Sequence, residues 1–428
     1  MVCVSMSLIL SACSVKPKII SPETNTPPRK LVIFFDGTAN DEASDTNIKK
    51  IHSLISLQNK KDVGTFYIEG VGANGKIAGM MTGWGTGHRV KLAYGYLLKN
   101  YQEGDQIYLF GFSRGAYSAR ILASLLYHAG LPATQLSDKV SESDIAEKLY
   151  DAFKGDMLST DRRSAINSVI KEYNIPKLKT AYVEFMGLWD TVEALGTPNY
   201  EEDFIKPNRR YGDQLCNVKK AAHALSLDDN RARIFTPILL TKKHLLEQCD
   251  KDINGNKWSA NNKSISHRLN TTVEEVWFTG AHADVGGGYQ DALLSGVSLN
   301  WMIRQLTSVD QKLLSPKTEV RSDPEEAVHD PEKGPLWGTL YRKRWRNFMN
   351  YAANSPYNNG RLKIHHSVIT RLQKPERLKD PNSKPRESQW RLVTSFPSCF
   401  GKQPNAKGGY NYKRTAQCKL DKVDTRQE

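Results

Sequence analysis

Past its first 14 residues the chain has no apolar run near the roughly 20 residues that cross a bilayer as a helix, which excludes a polytopic helical membrane protein. Cysteine is scarce: six in 428 residues, at positions 3, 13, 216, 249, 399 and 418, with no CxxC pair. That spacing excludes a small disulfide scaffold and a cysteine-ligated metal site. His282, Asp284 and Asp36 are the oxygen and nitrogen donors that merit comparison with a metal site, but no spaced His pair accompanies them, so no metal and no other cofactor is expected. Fixed-period repeats are missing, and 30 Gly with 19 Pro is near average, which sets aside solenoids, collagen-like chains and wholly disordered ones.

Acidic residues are outnumbered, 46 against 60 Lys and Arg, for a net charge of +14. From residue 316 to 428 there are 23 Lys and Arg against 12 Asp and Glu, so most of the excess sits in the last quarter. It is densest over Tyr341-Arg342-Lys343-Arg344-Trp345-Arg346. No helix-turn-helix, aromatic RNA-binding signature or zinc spacing accompanies this charge, and nucleic acid is not an expected partner. With Trp337, Trp345 and Trp390 interleaved, the composition suits docking on an anionic membrane surface. A solvated face that keeps the chain in solution has the same composition.

Apolar residues make up 39%, enough for a packed core in one large domain or two ordinary ones. Leu10-Ser11-Ala12-Cys13 follows a short apolar stretch and resembles the bacterial lipobox, in which the cysteine is lipidated. Residues 1–13 therefore read as a lipoprotein signal with Cys13 as the lipidation site, and 14–30 as a Pro/Ser/Thr/Lys tether. Residues 31–310 read as the catalytic domain and 311–428 as a basic extension. A lipid anchor implies the bacterial cell envelope, at the outer membrane or periplasmic face; a soluble or secreted protein is the alternative. In an oxidising compartment Cys399 and Cys418 become candidates to pair.

Leu31 to Phe35 is a continuous β-prone run that stops at Asp36-Gly37-Thr38, as a buried strand stops at a functional turn. Thr65 to Ile68 is a second strand. The following Gly70, Gly72 and Gly75 spell GxGxxG, but Gly79, Gly83, Gly85 and Gly87 come next instead of a helix, so this stretch reads as a loop. Helical spacing of apolar residues predicts a helix from His88 to Tyr101. Gln106 to Phe110 is the next strand, followed by Gly111-Phe112-Ser113-Arg114-Gly115 and a helix rich in small residues from Ala116 to His128. Further strands are predicted over 181–188, 233–240 and 273–279, and helices over 141–173 and 218–227. This alternation predicts an α/β fold with a mostly parallel sheet and helical insertions at 131–178 and 196–220.

A serine hydroxyl becomes a competent nucleophile when it is held exposed beside a base and opposite donors for the oxyanion. The GxSxG pattern, with a strand before and a helix after, supplies that posture for Ser113. On such a fold the acid and the base follow in that order. Asp190 ends the strand that carries Trp189 and is the acid; His282 ends the strand that carries Trp277 and is the base. His223, His365 and His366 compete for the base, and Asp228 and Asp229 for the acid. The oxyanion hole is expected from the Arg114 N–H together with Gly37 or Thr38.

Five ordered blocks carry a resemblance: Phe35 to Asn40, Tyr108 to Ala116, Gly187 to Val192, His223 to Arg231 and Gly280 to Tyr289. Together they resemble a bacterial and fungal α/β-hydrolase family that includes the first class of type VI secretion phospholipase effectors. The resemblance places the family's triad on Ser113, Asp190 and His282. It implies hydrolysis of phospholipid acyl esters through an acyl-enzyme, with a phospholipid or other acyl ester as substrate and an immunity or secretion partner left open. A general esterase or thioesterase acting on small substrates remains an alternative, as does a catalytically idle envelope lipoprotein with a binding or structural role.

Overall fold

In the computed structural model the β-prone runs join into a nine-stranded sheet. The chain describes residues 16–37, 45–70, 84–132, 141–176, 178–193, 209–231, 235–241, 245, 249, 262–291, 293–329, 346–348, 351–352, 362–373, 401–404, 410–413 and 420–423. The strands are β1 (Lys18–Ile20), β2 (Lys30–Phe35), β3 (Val63–Ile68), β4 (Gln106–Phe112), β5 (Leu131–Pro132), β6 (Leu178–Lys179), β7 (Val183–Trp189), β8 (Val218–Ser226), β9 (Val273–Phe278), β10 (Leu362–His365), β11 (Gly401–Pro404), β12 (Tyr410–Lys413) and β13 (Leu420–Val423). The large sheet runs β1-β3-β2-β4-β7-β8-β9-β10-β13, while β5 pairs β6 and β11 pairs β12 apart from it. Every pairing from β3 to β13 is parallel; only the edge strand β1 runs antiparallel to its neighbour.

A parallel sheet needs cover on both faces, and β2 and β4 near its centre are buried along almost their whole length. The alternation along β2 shows the two layers. Leu31, Ile33 and Phe35 pack with Val90 and Leu97 of α2 (Trp84–Asn100), after α1 (Asn47–Ser56), and with Leu122 and Leu125 of α3 (Arg114–His128). Val32 and Phe34 face the other way, toward Ile48 and Ile51 of α1. The remaining helices are α4 (Glu142–Phe153), α5 (Ser159–Glu172), α6 (Asn262–Thr272), α7 (His282–Gly286), α8 (Leu293–Val309) and α9 (His366–Gln373). Leu299, Met302 and Ile303 of α8 complete the second layer. Among the described residues no helix is long and apolar enough to cross a membrane.

Four sequence expectations change. Residues 218–227, predicted helical, form β8: the alanine-rich run is buried between β7 and β9, and that position in the sheet overrides its helix propensity. The strand predicted over 233–240 is irregular where it is described, at 235–240, with the Ile238 N–H bonded to the Thr191 carbonyl and the Leu240 N–H to the Glu275 carboxylate. The 14–30 segment is not a free tether over its described part, since β1 adds to the sheet and buried Arg29 ion-pairs with Asp105 at 2.6 Å. The basic extension is not merely appended, because β10 and β13 continue the catalytic sheet. Cys13, Thr38, the glycine-rich loop over 71–83, Cys399 and Cys418 lie outside the described residues.

Among the described residues a disulfide joins Cys216 to Cys249, with Cα atoms 5.4 Å apart and a sequence separation of 33. Cysteine spacing gives no cue to it, because only folding brings Cys249 to the residue that lies two positions before β8. A loop of this length implies about 4 kcal/mol of stabilisation in the chain-entropy picture. Cys216→Ser should therefore lower the melting temperature by several degrees, and dithiothreitol should lower that of the wild type to match; a wild-type melt insensitive to reduction would contradict the pairing.

At the end of β2 the buried Asp36 carboxylate accepts hydrogen bonds from Thr46 Oγ1 (2.7 Å), the Tyr67 hydroxyl (2.7 Å) and the Gly37 N–H (2.6 Å). Burial pushes its carboxyl up from 3.8 to about 6, against the pull of those donors and of Arg89. Folded Asp36 thus holds its proton more tightly than the unfolded chain does. Its contribution is present below the unfolded value and is lost as pH rises through about 6. Urea titrations of the wild type should lose roughly 3 kcal/mol from this group between about pH 4 and 7. Asp36→Asn, which cannot ionise, should flatten that slope; an unchanged slope would assign it elsewhere.

Candidate active site

Three strand ends converge at the carboxyl edge of the sheet, where open α/β folds expose their chemistry. Ser113 follows β4, Asp190 follows the adjacent β7, and His282 follows β9 and opens α7. Two of these residues sit in the left-handed half of backbone space, Ser113 at φ 58° and Asp190 at φ 37°. Non-glycine residues hold such angles only when the surrounding structure imposes them. Here the Ser113 N–H is bonded to the Trp189 carbonyl at 2.9 Å, and the Asp190 N–H to the Ala224 carbonyl at 2.8 Å, so each strand end is tied to its neighbour.

The two glycines of the GxSxG block explain how the turn fits. A Cβ on Gly111 would lie 2.5 Å from the Ala116 backbone, and one on Gly115 would lie 2.2 Å from the Phe35 carbonyl oxygen. Helix α3 therefore starts pressed against β2. Ser113 occupies the N-cap position of that helix, yet its hydroxyl makes no capping bond. The strained φ turns it away from the role a serine usually plays there.

His282 and Asp190 are joined directly, with Nδ1 2.6 Å from Oδ2. A carboxylate can only accept, so the proton lies on Nδ1 and the neutral ring presents a bare lone pair at Nε2. That Nε2 is buried and has no hydrogen-bond partner among the described residues. The ring is held between Phe112, centroid distance 4.6 Å, and Phe235, at 4.7 Å. Phe112 is the last residue of β4 and immediately precedes Ser113. The His282 N–H donates to Asp229 Oδ2 at 3.2 Å, while the Gly280 N–H donates to Asp228 Oδ2 at 2.6 Å.

Asp190 is fully buried and its carboxylate is completely engaged. Besides His282, Oδ1 accepts from the Ser226 N–H at 3.0 Å and from Arg346 Nη1 at 2.7 Å, and Oδ2 accepts from Arg346 Nη2 at 2.8 Å. Burial alone would push this carboxyl up; the Arg346 charge and the hydrogen bonds from His282 and Arg346 override it and hold Asp190 well below the usual carboxylate range. Asp229, also opposed by burial, is held down to about 2 chiefly by Arg231.

The rival residues have other partners. His223 is buried in β8, with Nδ1 2.8 Å from Glu275 Oε2 and Nε2 near the Thr191 N–H and hydroxyl. His365 Nδ1 lies 2.8 Å from the Ser367 hydroxyl. Asp228 and Asp229 serve as backbone anchors for the loop that carries His282. Asp284 binds His329 Nδ1 at 2.6 Å and the Ala281 N–H at 2.9 Å, away from Asp36. Of the oxyanion candidates, Arg114 opens α3 at the positive end of its dipole, whereas the Gly37 N–H is taken by the Asp36 carboxylate. Arg346 belongs to the basic stretch whose composition suits either a membrane-docking surface or a solvated face; it is buried at the site instead. No local pattern marks it, because one arginine in a basic run carries no periodic signal.

Residues 29–305 match the family described as T6SS, phospholipase effector Tle1-like, catalytic domain. An uncharacterised protein of Saccharomyces cerevisiae, YEL023C, is 26% identical over 265 residues, 54% of this chain and 37% of that one. Among solved structures, an uncharacterised Pseudomonas aeruginosa protein aligns at 18% identity and TM-score 0.39, covering 69% of this chain and 49% of the other. The Tle1 effector bound to the VgrG spike aligns at 19% and 0.29, covering 62% and 52%. The Thermogutta terrifontis esterase Est2 aligns at 12% and 0.33, covering 72% and 92%. The chain thus spans 37% of the yeast relative's length and about half that of the Pseudomonas protein. With the matched span covering most of the chain, the protein belongs to the Tle1-like phospholipase effector family.

Proposed function

We propose that this chain is a serine ester hydrolase that cleaves acyl esters of phospholipids, with Ser113 as nucleophile, His282 as general base and acid, and Asp190 as the group that orients the imidazole. Family membership supports the substrate class. The observation that carries the chemistry is the His282–Asp190 contact at 2.6 Å, which leaves a buried Nε2 without a partner among the described residues, on a ring that packs against Phe112, the residue before Ser113.

In this reading Ser113 Oγ attacks the ester carbonyl as its proton passes to Nε2. The tetrahedral intermediate collapses to an acyl-serine while Nε2 returns the proton to the leaving alkoxide, and the lysolipid departs. Water, deprotonated by the same nitrogen, then releases the fatty acid and restores the serine. The oxyanion is met by the Arg114 N–H and by the loop after β2. Gly37 and Thr38 stay the two candidates for that second donor, with the Gly37 N–H bonded here to the Asp36 carboxylate. Approach to a bilayer is assigned to the basic extension through Arg342, Lys343 and Arg344, without the buried Arg346.

Fatty-acid release from phospholipid vesicles, run beside a soluble short-chain ester, tests this. Ser113→Ala and His282→Ala should each lose roughly 10³-fold or more, and the double variant should be hardly worse than either, because triad members act as a unit. Activity on the soluble ester alone would make the chain a general esterase. No labelling by a fluorophosphonate would make it an idle module. Loss in His223→Ala or His366→Ala with His282→Ala unaffected would move the base.

We place the protein at the cell envelope through lipidated Cys13. The lipobox-like Leu10 to Cys13 supports this, as does Cys216–Cys249, a bond of the kind that persists in oxidising compartments. Cells fed labelled palmitate should yield a labelled, membrane-fractionating protein, and Cys13→Ser should be unlabelled and soluble. Label and fractionation unchanged by that substitution would remove the anchor.

A further inference from the structure

We propose that Arg346, from the basic segment beyond the family's catalytic span, is a positioning residue of the active site that clamps the Asp190 carboxylate and sets the proton balance of the Asp190–His282 pair. The inference rests on the triad reading above and concerns a residue that the matched region, 29–305, does not contain.

The geometry is that of a fork. Arg346 Nη1 reaches Asp190 Oδ1 at 2.7 Å and Nη2 reaches Oδ2 at 2.8 Å, the bidentate match that a guanidinium offers and an ammonium does not. The same two nitrogens donate onward, Nη1 to the Ser226 carbonyl and Nη2 to the Phe235 carbonyl at 3.0 Å. Phe235 is the residue whose ring lies 4.7 Å from the imidazole of His282. Arg346 therefore fixes the plane of the acid and also the backbone of the wall behind the base.

The segment is seated independently of the ion pair. Phe348 meets Trp277 of β9 edge-on at 5.2 Å and Tyr351 stacks on it at 5.5 Å, within a core shared with Leu225, Leu362 and Ile364. Trp277 lies on the strand that leads into His282, so the arginine and the histidine are referenced to one strand. The guanidinium itself is 5.8 Å from the Trp277 ring.

The charge has a direction. A carboxylate facing only an imidazole would stabilise the imidazolium with its whole charge; a guanidinium across both oxygens offsets part of that. Burial works against a charged Arg346, and Asp190 and then Asp229 more than restore it. The charged and titratable groups around the carboxylate are His282 on α7, Arg346 and Tyr351 on the segment, and Asp229 with its partner Arg231 after β8. Removing Arg346, the cation that contacts Asp190 among the described residues, lets the acid–base pair take up a proton at higher pH, whichever member carries it.

The test uses the full-length chain, with Arg346→Met and Arg346→Lys compared to wild type on a soluble ester between about pH 5 and 9, rates being expressed per active site titrated with a fluorophosphonate. Arg346→Met should lose about 10- to 100-fold in kcat with KM within roughly threefold, and its acid limb in kcat/KM should move up by about one pH unit. Arg346→Lys should keep the limb near that of wild type and recover only part of kcat. A loss explained wholly by fewer titratable sites, with an unshifted limb, would reduce Arg346 to a structural ion pair and overturn the proposal. Should Arg346→Met fail to fold, Arg346→Lys decides, because wild-type kcat per site from that variant also overturns it. Ser113→Ala separates the two readings: activity surviving that change sinks the triad itself, whereas activity abolished there but unaltered in both Arg346 variants sinks the clamp alone.

Discussion

A negative charge sealed from water must be met inside the protein, and the Asp190 carboxylate is the place where this chain faces that requirement. Four donors surround it, from His282, Ser226 and both outer nitrogens of Arg346. Breaking a buried pair of this sort by removing one partner costs about 3–5 kcal/mol, since the other charge stays behind uncompensated. The arrangement therefore binds β7, β8, α7 and the segment at 346 into one unit. Two strands far along the chain, β10 and β13, belong to the same sheet as the elbow. The core around Trp277 that seats Arg346 is built from the same stretch of chain as β10.

Around that charge the backbone holds two strained residues side by side. Ser113 and Asp190 end neighbouring parallel strands, and both have positive φ. Neither angle would persist in a loop free to relax. Close contact of Gly115 with the Phe35 carbonyl, and the bond from the Ser113 N–H to Trp189, leave the elbow no room to do so. Beneath it Asp36 gathers Thr46, Tyr67 and Gly37, while Arg89 donates to the Asp36 and Ile68 carbonyls. The rigidity of the sheet is thus spent on one point, the posture of a serine hydroxyl that would otherwise cap its own helix.

Histidine shows how one side-chain type is sorted by surroundings. His223 is bound at both ring nitrogens, to Glu275 on one side and Thr191 on the other, and burial among those partners leaves it no lone pair to offer. His329 stands between Asp284 and Asp291 with Tyr289 stacked on its ring at 3.8 Å, and the Asp284 hydrogen bond pushes its pKa up. Of the histidines considered for the base, His282 is the one that pairs a single carboxylate at Nδ1 with a buried, unpartnered Nε2.

Read alone, the sequence determined the layout that depends on neighbours in the chain: the apolar strand ending before Asp36, the GxSxG elbow after β4, and the strand that Asp190 closes. The strand before His282 was legible too, but it stops at Phe278, and His282 opens a short helix instead of ending the strand. Those features are local, written as runs of β-prone residues stopped by Gly, Asp or Ser. Tertiary structure decided what depends on distant partners. The alanine-rich run at 218–226 is a strand because two strands flank it, and no periodicity within it distinguishes that from a buried helix. Cys216 meets Cys249, and Arg346 leaves the charged run around it to enter the site, because folding brings together positions that sequence spacing cannot relate. A lone cation looks the same on a solvated face as it does beside a buried carboxylate, and only the packing of Phe348 and Tyr351 on Trp277 turns it inward.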